Sequence, residues 1–143
     1  MREIKFRAWV GKNEMIYSGN TYGDYILFFE KCREHHDGFG GCLLMQYTGR
    51  KDKNGKDIYE GDCVRKTMFD VTINFPDRKE DITYEGIVEF FQAWNSFVLD
   101  VRSKSWEGKR AQQGFPTPLY FDGKYELEIL GNIYEHNHLL DKQ

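Results

Sequence analysis

The chain has 143 residues, a formal net charge of −3 and 16% aromatic residues, and these properties exclude several classes of protein. A domain of this length buries about 68% of its unfolded surface, so it forms a core without disulfide or metal staples and is not disordered. The negative charge provides no global positive field for a polyanion, and no apolar run approaches the roughly 20 residues of a membrane helix. Three cysteines without a secretory signal predict reduced thiols in a cytoplasm.

The N-terminal segment, residues 2 to 17, is predicted to form a β-hairpin. Ile4, Phe6 and Ala8 alternate with residues of the opposite face, which is the period-2 pattern of a strand with one buried side. A turn around Gly11 then leads into the returning strand. We therefore expect the first two strands to be antiparallel neighbours.

Residues 24 to 36 are predicted to form a short helix. Their apolar side chains follow helical spacing as far as Cys32, although the run from 25 to 29 alone also fits a buried strand. Asp24 follows a glycine and is expected to be the N-cap, and the polar end of the segment is unsuited to a strand. The helix is therefore the favoured interpretation.

The same segment introduces a group of residue types that are suited to a metal ion, namely Cys32, His35, His36 and Cys42. A structural zinc site normally presents two tight pairs of ligands, and Cys42 stands alone here. The sequence therefore predicts no metal and no cofactor, with Cys32 buried and the two histidines exposed.

Residues 44 to 64 predict a hairpin that is followed by a sharp corner. An apolar run breaks at Gly49, a polar loop ends at Gly55, and the chain turns again at Gly61. The three glycines are expected to be turn residues, because glycine permits the positive φ or the close approach that tight corners impose. Asp62 is expected to bond nearby backbone amides rather than to act as a catalytic carboxylate.

The second half of the chain predicts a polar excursion, a hairpin and a loop. Residues 67 to 84 are polar and predict an insertion in a barrel, with at most a short strand near Val71. Residues 87 to 101 predict a second hairpin with Trp94 at its tip. The tryptophan is interpreted as an interaction anchor or, preferably, as a ring that folds back over the sheet. Residues 102 to 117 predict a long loop.

Alternation along the second hairpin assigns its side chains to faces. Val88, Phe90 and Phe97 are assigned to the core, whereas Ile87 is assigned to the opposite face or to an oligomer contact. A final strand is predicted over residues 124 to 131.

Two polar loops carry local positive charge, and one of them also carries an aromatic ring. Proteins that bind single-stranded nucleic acid combine these two features. The candidate nucleic-acid-binding residues are Lys51, Lys53 and Lys56 in the first loop and Trp106, Lys109 and Arg110 in the second. Charged loops are most often solvated and the whole chain is acidic, so nucleic acid is an alternative partner and not the favoured one.

Four blocks of the sequence together resemble the YopX family of phage and prophage proteins. They are residues 1–9, 44–64, 86–90 and 127–135, of which the last reads LEILGNIYE. The resemblance implies a small protein of a temperate phage that acts in a bacterial cytoplasm and has a compact β fold related to SH3-type barrels. It brings no established activity and no catalytic residue.

These observations predict a mainly β protein with a single domain over residues 1–143. The N-terminal hairpin and a short helix occupy residues 1–41, and an SH3-like partly open barrel occupies residues 42–143. Glycine corners such as Gly61-Asp62, with valines to fill the interior, are typical of small barrels.

Small barrels commonly present loops and grooves to a partner, so we expect a non-enzymatic accessory module. Its partner would be a host or phage macromolecule, with no role for a membrane, and a homo-oligomer is also compatible with the sequence. The first alternative is a nucleic-acid-binding barrel protein. The second is a hydrolase or nuclease whose carboxylates would be Glu60, Asp62 and Asp100.

Overall fold

The computed structural model describes residues 3–11, 14–34, 41–74, 78–105 and 115–135. Within these residues the fold is mainly β with one α-helix. The predicted class, an SH3-like partly open barrel with an N-terminal hairpin and a short helix, is confirmed. The chain divides into two compact units, Met1–Arg50 and Lys51–Gln143, and each unit contains its own cluster of buried apolar side chains.

The first unit is built from three strands and the helix. Its elements are β1 (Phe6–Val10), β2 (Glu14–Tyr17), α1 (Tyr22–Glu34) and β3 (Cys42–Lys51). β1 lies between the other two strands and pairs antiparallel with both. The predicted N-terminal hairpin is therefore present as β1 and β2.

The helix supplies one side of the core of the first unit. Phe28 is 3% exposed and packs with Ala8 and Val10, which lie on one face of β1 because they are two residues apart. Four partly buried side chains complete this cluster, namely Phe6, Ile16, Cys32 and Cys42. The packing of one helical face against β1 and β3 is what fixes α1 in this unit.

The helix begins at Tyr22, two residues before its predicted start, and Thr21 rather than Asp24 is its N-cap. The Thr21 hydroxyl Oγ1 accepts a hydrogen bond from the Asp24 amide at 3.1 Å, and the Asp24 carboxylate accepts one from the Thr21 amide at 3.2 Å. This reciprocal pair is a capping box in which aspartate takes the usual place of glutamate. Both residue types are good N-caps, so the sequence does not show which one precedes the first turn.

The second unit is an antiparallel sheet of five strands that follows a short strand. Its elements are β4 (Asp57–Tyr59), β5 (Asp62–Asn74), β6 (Arg78–Phe91), β7 (Ser96–Ser105), β8 (Phe115–Pro118) and β9 (Tyr125–Asn132). The last five strands have the order β8-β7-β6-β5-β9, and all neighbours are antiparallel. The 3-10 turn Gln92–Trp94 joins β6 to β7.

The prediction of a polar excursion over residues 67 to 84 is wrong, because β5 and β6 run through this segment. Met68 and Ile82 are buried in the core of the unit. A β-bulge after Met68 shifts the register, and Asp70 within it has a φ of +54°. The extra residues interrupt the period-2 pattern by which a strand is identified in a sequence.

The predicted loop over residues 102 to 117 is also partly wrong. β7 continues to Ser105, β8 occupies the end of the segment, and residues 106–114 lie outside the described residues. β8 is an edge strand, and it contains Pro116 and Pro118. Proline lacks the amide hydrogen that an inner strand must donate on both sides, so it is tolerated at such an edge.

The core of the second unit also encloses a charged side chain. The buried apolar residues of this core are Ile58, Val64, Met68, Ile82, Tyr84, Val88, Phe97, Leu99, Val101, Leu119 and Leu127. Lys66 is 1% exposed, and its Nζ donates hydrogen bonds to the carbonyls of Pro118 at 2.6 Å and Tyr120 at 3.1 Å. A buried ammonium group requires such acceptors, so Lys66 anchors the segment that follows β8.

The register of the second hairpin agrees only in part with the prediction. Val88 and Phe97 are buried, but Phe90 is 42% exposed, although it pairs with Phe97 on the core face. Ile87 is 7% exposed on the opposite face, and Val98 on that same face is fully buried. Both faces of the sheet are therefore covered here, which strand alternation alone does not reveal.

The corner before β5 is held by two backbone hydrogen bonds and by one hydrogen bond to a side chain. Gly61 has a φ of +85°; its amide donates to the carbonyl of Val88 at 2.9 Å, and its carbonyl accepts from the amide of Ile133 at 3.1 Å. The carboxylate of Asp62 accepts a hydrogen bond from the Tyr59 amide at 2.8 Å and is 2% exposed. The turn thus ties β5 to β6 and to the residue that follows β9.

Replacement of Gly61 by valine tests this corner. We expect Gly61→Val to lower the free energy of unfolding by about 2 kcal/mol, because a β-branched residue resists positive φ and the strained turn displaces both backbone hydrogen bonds. Gly49→Val is the matched control, since Gly49 has a similar φ of +86° in open space. Urea denaturation should show the larger loss at Gly61, and equal losses would contradict a special role for the corner.

A second prediction concerns the close approach of β6 and β7. A Cβ atom on Gly86 would lie 2.2 Å from the carbonyl oxygen of Asp100, so Gly86→Ala should cost about 3 kcal/mol of stability through a forced backbone shift. Gly23 in the first turn of α1 has only the Thr21 hydroxyl within 4 Å, at 3.9 Å. Gly23→Ala should therefore leave stability unchanged or raise it by about 0.5 kcal/mol. Thermal unfolding of both variants measures the difference, and a harmless Gly86→Ala would disprove the contact.

Candidate functional site

Two of the three carboxylates of the hydrolase alternative, Asp62 and Asp100, lie on opposite faces of the sheet. Asp62 begins β5 on the face of Val64, which belongs to the core. Asp100 pairs with Ile87, whose partner on β5 is Cys63, so Asp100 lies on the opposite face. The Asp62 carboxylate is moreover engaged by a backbone amide. These two side chains therefore do not form a pair for general acid and base catalysis.

Two lysines of the first predicted nucleic-acid-binding loop already face carboxylates. Lys51 Nζ lies 2.6 Å from Asp57 Oδ1, and Lys53 Nζ lies 2.8 Å from Glu128 Oε2 and 3.8 Å from Glu126 Oε1. A phosphate would have to compete with these ion pairs for the same ammonium groups.

The pKa values of the central ion pair reflect its hydrogen bond. The bond with Glu128 raises the pKa of Lys53, and the same bond lowers the pKa of Glu128. Lys56 is exposed. The second candidate group, Trp106, Lys109 and Arg110, lies outside the described residues, so the assignment of both groups to nucleic acid stays a prediction.

Asp52 holds this loop against the edge strand β9. It is 7% exposed, and its Oδ1 accepts hydrogen bonds from the amides of Asn54 and Lys56, both at 2.9 Å. Its Oδ2 accepts one from the amide of Ile129 at 3.2 Å, and the Lys53 amide donates to the carbonyl of Leu127 at 2.7 Å. The loop thereby occupies two backbone groups of this sheet edge, the amide of Ile129 and the carbonyl of Leu127.

This role of Asp52 was missed by sequence reasoning. An aspartate two residues before Asn54-Gly55 is a signal for a side chain that bonds the backbone of its own turn. Nothing in the sequence indicates the bond to Ile129, which is 77 positions away.

The pKa of Asp52 lies below its usual range. Burial by itself would raise it, but hydrogen bonds from the amides of Lys56, Ile129 and Asn54, together with the charge of Lys56, outweigh that effect. The ionised carboxylate is therefore the form that holds the loop.

The structure brings together two residues of the candidate metal group. Cys32 on α1 and Cys42 on β3 both pack against the cluster of Ala8, Val10 and Phe28, and both side chains are partly buried. His35 and His36 lie outside the described residues. Within the part of the chain that the structure describes, no three histidine, cysteine or acidic side chains are grouped as they would be around a metal ion.

The tip of the second hairpin carries a half-exposed tryptophan. Trp94 is 50% exposed, and its ring meets the ring of Phe91 edge to face at a centroid distance of 5.1 Å. Asn95 follows it with a φ of +47° and donates its amide to the carbonyl of Gln92 at 3.1 Å. The ring is thus packed on one side and open to solvent on the other.

Most of the exposed large apolar side chains belong to the first unit. Among the described residues, eight of the eleven exposed ones are Ile4, Tyr17, Tyr22, Ile26, Leu27, Phe29, Leu43 and Leu44. Three of those on α1, namely Tyr22, Ile26 and Phe29, have the i, i+4, i+7 spacing of one helical face and are 83%, 41% and 47% exposed. We call these three side chains the apolar stripe of α1.

The apolar stripe lies beside the buried face of the helix. Phe29 contacts Phe28 and Phe6, with ring centroids 5.1 Å and 6.3 Å apart. The Phe29 end of the apolar stripe therefore has packing partners in the first unit. Tyr22 and Ile26 present more apolar surface along the same helix.

No helix in the described part of the chain has both the length and the apolar character that a bilayer crossing would need. Taken together, the described residues define a small, mainly β protein with one helix that presents an apolar stripe. The sequence matches the model of the family described as YopX protein over residues 5–141, and the chain belongs to that family.

The fold can also be compared with solved structures. The chain is similar to the crystal structure of protein EF1440 from Enterococcus faecalis, with 23% sequence identity and a TM-score of 0.43. The similarity covers 98% of this chain and 99% of that chain. A search of curated proteins gave no match.

Asp52→Asn tests the attachment of the loop to β9. The substitution replaces Oδ2 by an amide that faces the N–H of Ile129, so we expect a loss of about 2 kcal/mol of stability at neutral pH. Because the folded pKa of Asp52 is depressed, the stabilisation is complete above the unfolded pKa of about 3.9 and is lost as the pH falls through the folded pKa. Urea unfolding at about pH 7, 5 and 3 follows this loss.

The difference in the free energy of unfolding between wild type and Asp52→Asn should shrink only at the lowest of these pH values. The ion pair of Glu128 with Lys53 also weakens in acid, but it is present in both proteins. Asp122→Asn, which changes an exposed aspartate of the same unit, is the control and should have little effect. A stability difference that does not change with pH would contradict the role of the carboxylate.

Proposed function

We propose that this protein is a non-enzymatic interaction module that binds a partner protein through the apolar stripe of α1. The observation that carries the proposal is the exposure of Tyr22, Ile26 and Phe29 on one face of the helix. Membership of the YopX family supports the further proposal that the protein is a phage or prophage accessory factor of the bacterial cytoplasm.

The exposure of this stripe is costly unless a partner covers it. A helix at a protein surface normally buries one apolar face and presents polar residues elsewhere. α1 has a buried face around Phe28 and a second apolar stripe beside it. Contiguous exposed apolar side chains of this kind mark binding sites, and burial of one large side chain contributes roughly 1.5–3 kcal/mol.

The charges on α1 favour a protein over a polyanion or a lipid surface. The helix carries three acidic residues, Asp24, Glu30 and Glu34, against two basic residues, Lys31 and Arg33, which gives it a net charge of −1. Helices that lie on membranes are rich in lysine and arginine on their polar face, and nucleic acid requires positive charge. An apolar groove on another protein, filled by anchors at i, i+4 and i+7, is the partner chemistry that fits.

The test uses a double substitution that leaves the core intact. Tyr22→Gln/Ile26→Gln removes two exposed anchors, keeps good helix propensity at position 26, and spares Phe29 because of its contacts with Phe6 and Phe28. Partners are captured from bacterial cells that carry the phage, with and without nuclease, and the affinity of the purified partner is then measured. We expect a nuclease-resistant partner whose affinity falls at least tenfold in the double variant.

Trp94→Gln is the matched control, because it removes an exposed aromatic ring from the second unit. It should leave the affinity unchanged. A partner that is lost in Trp94→Gln but kept in Tyr22→Gln/Ile26→Gln would move the binding site to the hairpin tip and refute the proposal.

If every captured partner is lost after nuclease treatment, the proposal is wrong and the protein is the nucleic-acid-binding barrel of the first alternative. The logarithm of the binding constant for a single-stranded oligonucleotide would then fall linearly with the logarithm of the salt concentration, with a slope of about −0.7 per phosphate contact. Lys51→Gln/Lys53→Gln/Lys56→Gln should abolish such binding. Neutral glutamine is preferable to a charge reversal, because a glutamate at position 53 would face the carboxylates of Glu126 and Glu128.

A further inference from the structure

Two of the three cysteines, Cys32 and Cys42, pack in the same part of the first unit. Cys32 and Cys42 both pack against the cluster of Ala8, Val10 and Phe28, and burial together with the influence of Cys42 raises the pKa of Cys32. Both side chains are partly buried and neither is in a disulfide. The pair therefore combines a shared packing site with partial access to solvent.

The fold places the two thiols together from two directions. Cys32 lies one helical turn after Phe28, on the face of α1 that packs against the strands. Cys42 begins β3 and pairs with Val10 of β1. The contact is thus set by elements with their own packing and hydrogen bonds, and it does not depend on the chain between them.

We propose that Cys32 and Cys42 form a site of reversible thiol modification, at which a small-molecule disulfide such as glutathione disulfide converts the pair into an intramolecular disulfide. In the first step, a cysteine thiolate attacks one sulfur of the small disulfide, forms a mixed disulfide and releases one small thiol. In the second step, the other cysteine attacks the protein sulfur of the mixed disulfide and releases the second small thiol. The two cysteines lose two electrons, and the two released thiols carry these electrons and the two thiol protons.

The environment of the pair sets the order of the two steps. Burial, followed by the hydrogen bond and the charge of Cys42, raises the pKa of Cys32 to about 12. Cys32 is therefore protonated at neutral pH and is a poor first nucleophile. We expect Cys42 to attack the small disulfide first and Cys32 to resolve the mixed disulfide, and the serine variants described below test this order.

Cys63 provides an internal control. It is 6% exposed in the second unit, and a buried thiol in apolar surroundings is inert towards disulfides. Oxidation of the pair should therefore leave Cys63 in the thiol state.

The experiment is a titration of the purified full chain with glutathione redox buffers, followed by alkylation and mass spectrometry. The wild type should lose two alkylation sites together, gain a peptide that links Cys32 to Cys42, and retain an alkylated Cys63. Reduction by excess glutathione should restore both sites. The intact mass of the oxidised protein should be about 2 Da lower than that of the reduced one, because two hydrogen atoms leave.

Two serine variants test the order of attack. Cys32→Ser should accumulate a glutathione adduct on Cys42, because the resolving thiol is missing. Cys42→Ser should form the adduct on Cys32 at least tenfold more slowly. The wild-type titration does not depend on the folding of either variant.

Three results would overturn the proposal. They are a stable mixed disulfide in the wild type with no Cys32–Cys42 link, oxidation of Cys63 as fast as the pair, and equal adduct formation in the two serine variants.

Discussion

The left-handed turn at Gly61 is the constraint on which the second unit depends. One residue with positive φ places its amide on the carbonyl of Val88 and its own carbonyl on the amide of Ile133. Asp62 fixes the same turn from within by accepting the Tyr59 amide. The start of β5 is therefore positioned against β6 and the end of β9 at once, so two registers of the sheet follow from a single corner. This explains why the sequence around residue 61 contains glycine beside aspartate, and why the carboxylate has a structural use.

The loop that contains Asp52 links this architecture to the question of function. Its lysines suggest a phosphate site when the sequence is considered alone, yet its aspartate is bonded to the backbone of β9 and two of its lysines face carboxylates. The positive charges of this loop thus compensate the acidic strand beside it. The apolar stripe of α1 has no comparable explanation within the first unit, and this contrast between a satisfied charged loop and an exposed apolar helix face is what directs the proposed function to the helix.

Local signals in the sequence predicted the glycine corners, the hairpins, the helix and the mainly β class, because each depends on residues that are close along the chain. The errors arose where distant packing decides the outcome. The bulge at Asp70 hides the continuation of β5, and Phe90 is 42% exposed although it lies on the core face. Thr21 and Asp24 are equally good caps until the helix start is known. The contact of Cys32 with Cys42 depends on the docking of a helix on two strands, which no spacing rule contains.

The composition of the edge strand β8 bears on aggregation of the protein by strand addition. Its two prolines alternate with residues whose amides face β7, so the prolines occupy the outward side of the strand, where they offer no hydrogen to another chain. At the opposite edge, the loop of Asp52 occupies backbone groups of β9. Neither edge of the five-stranded sheet is a ready template for a further strand. Both edges of this sheet are therefore poorly suited to the strand-by-strand growth of a fibril.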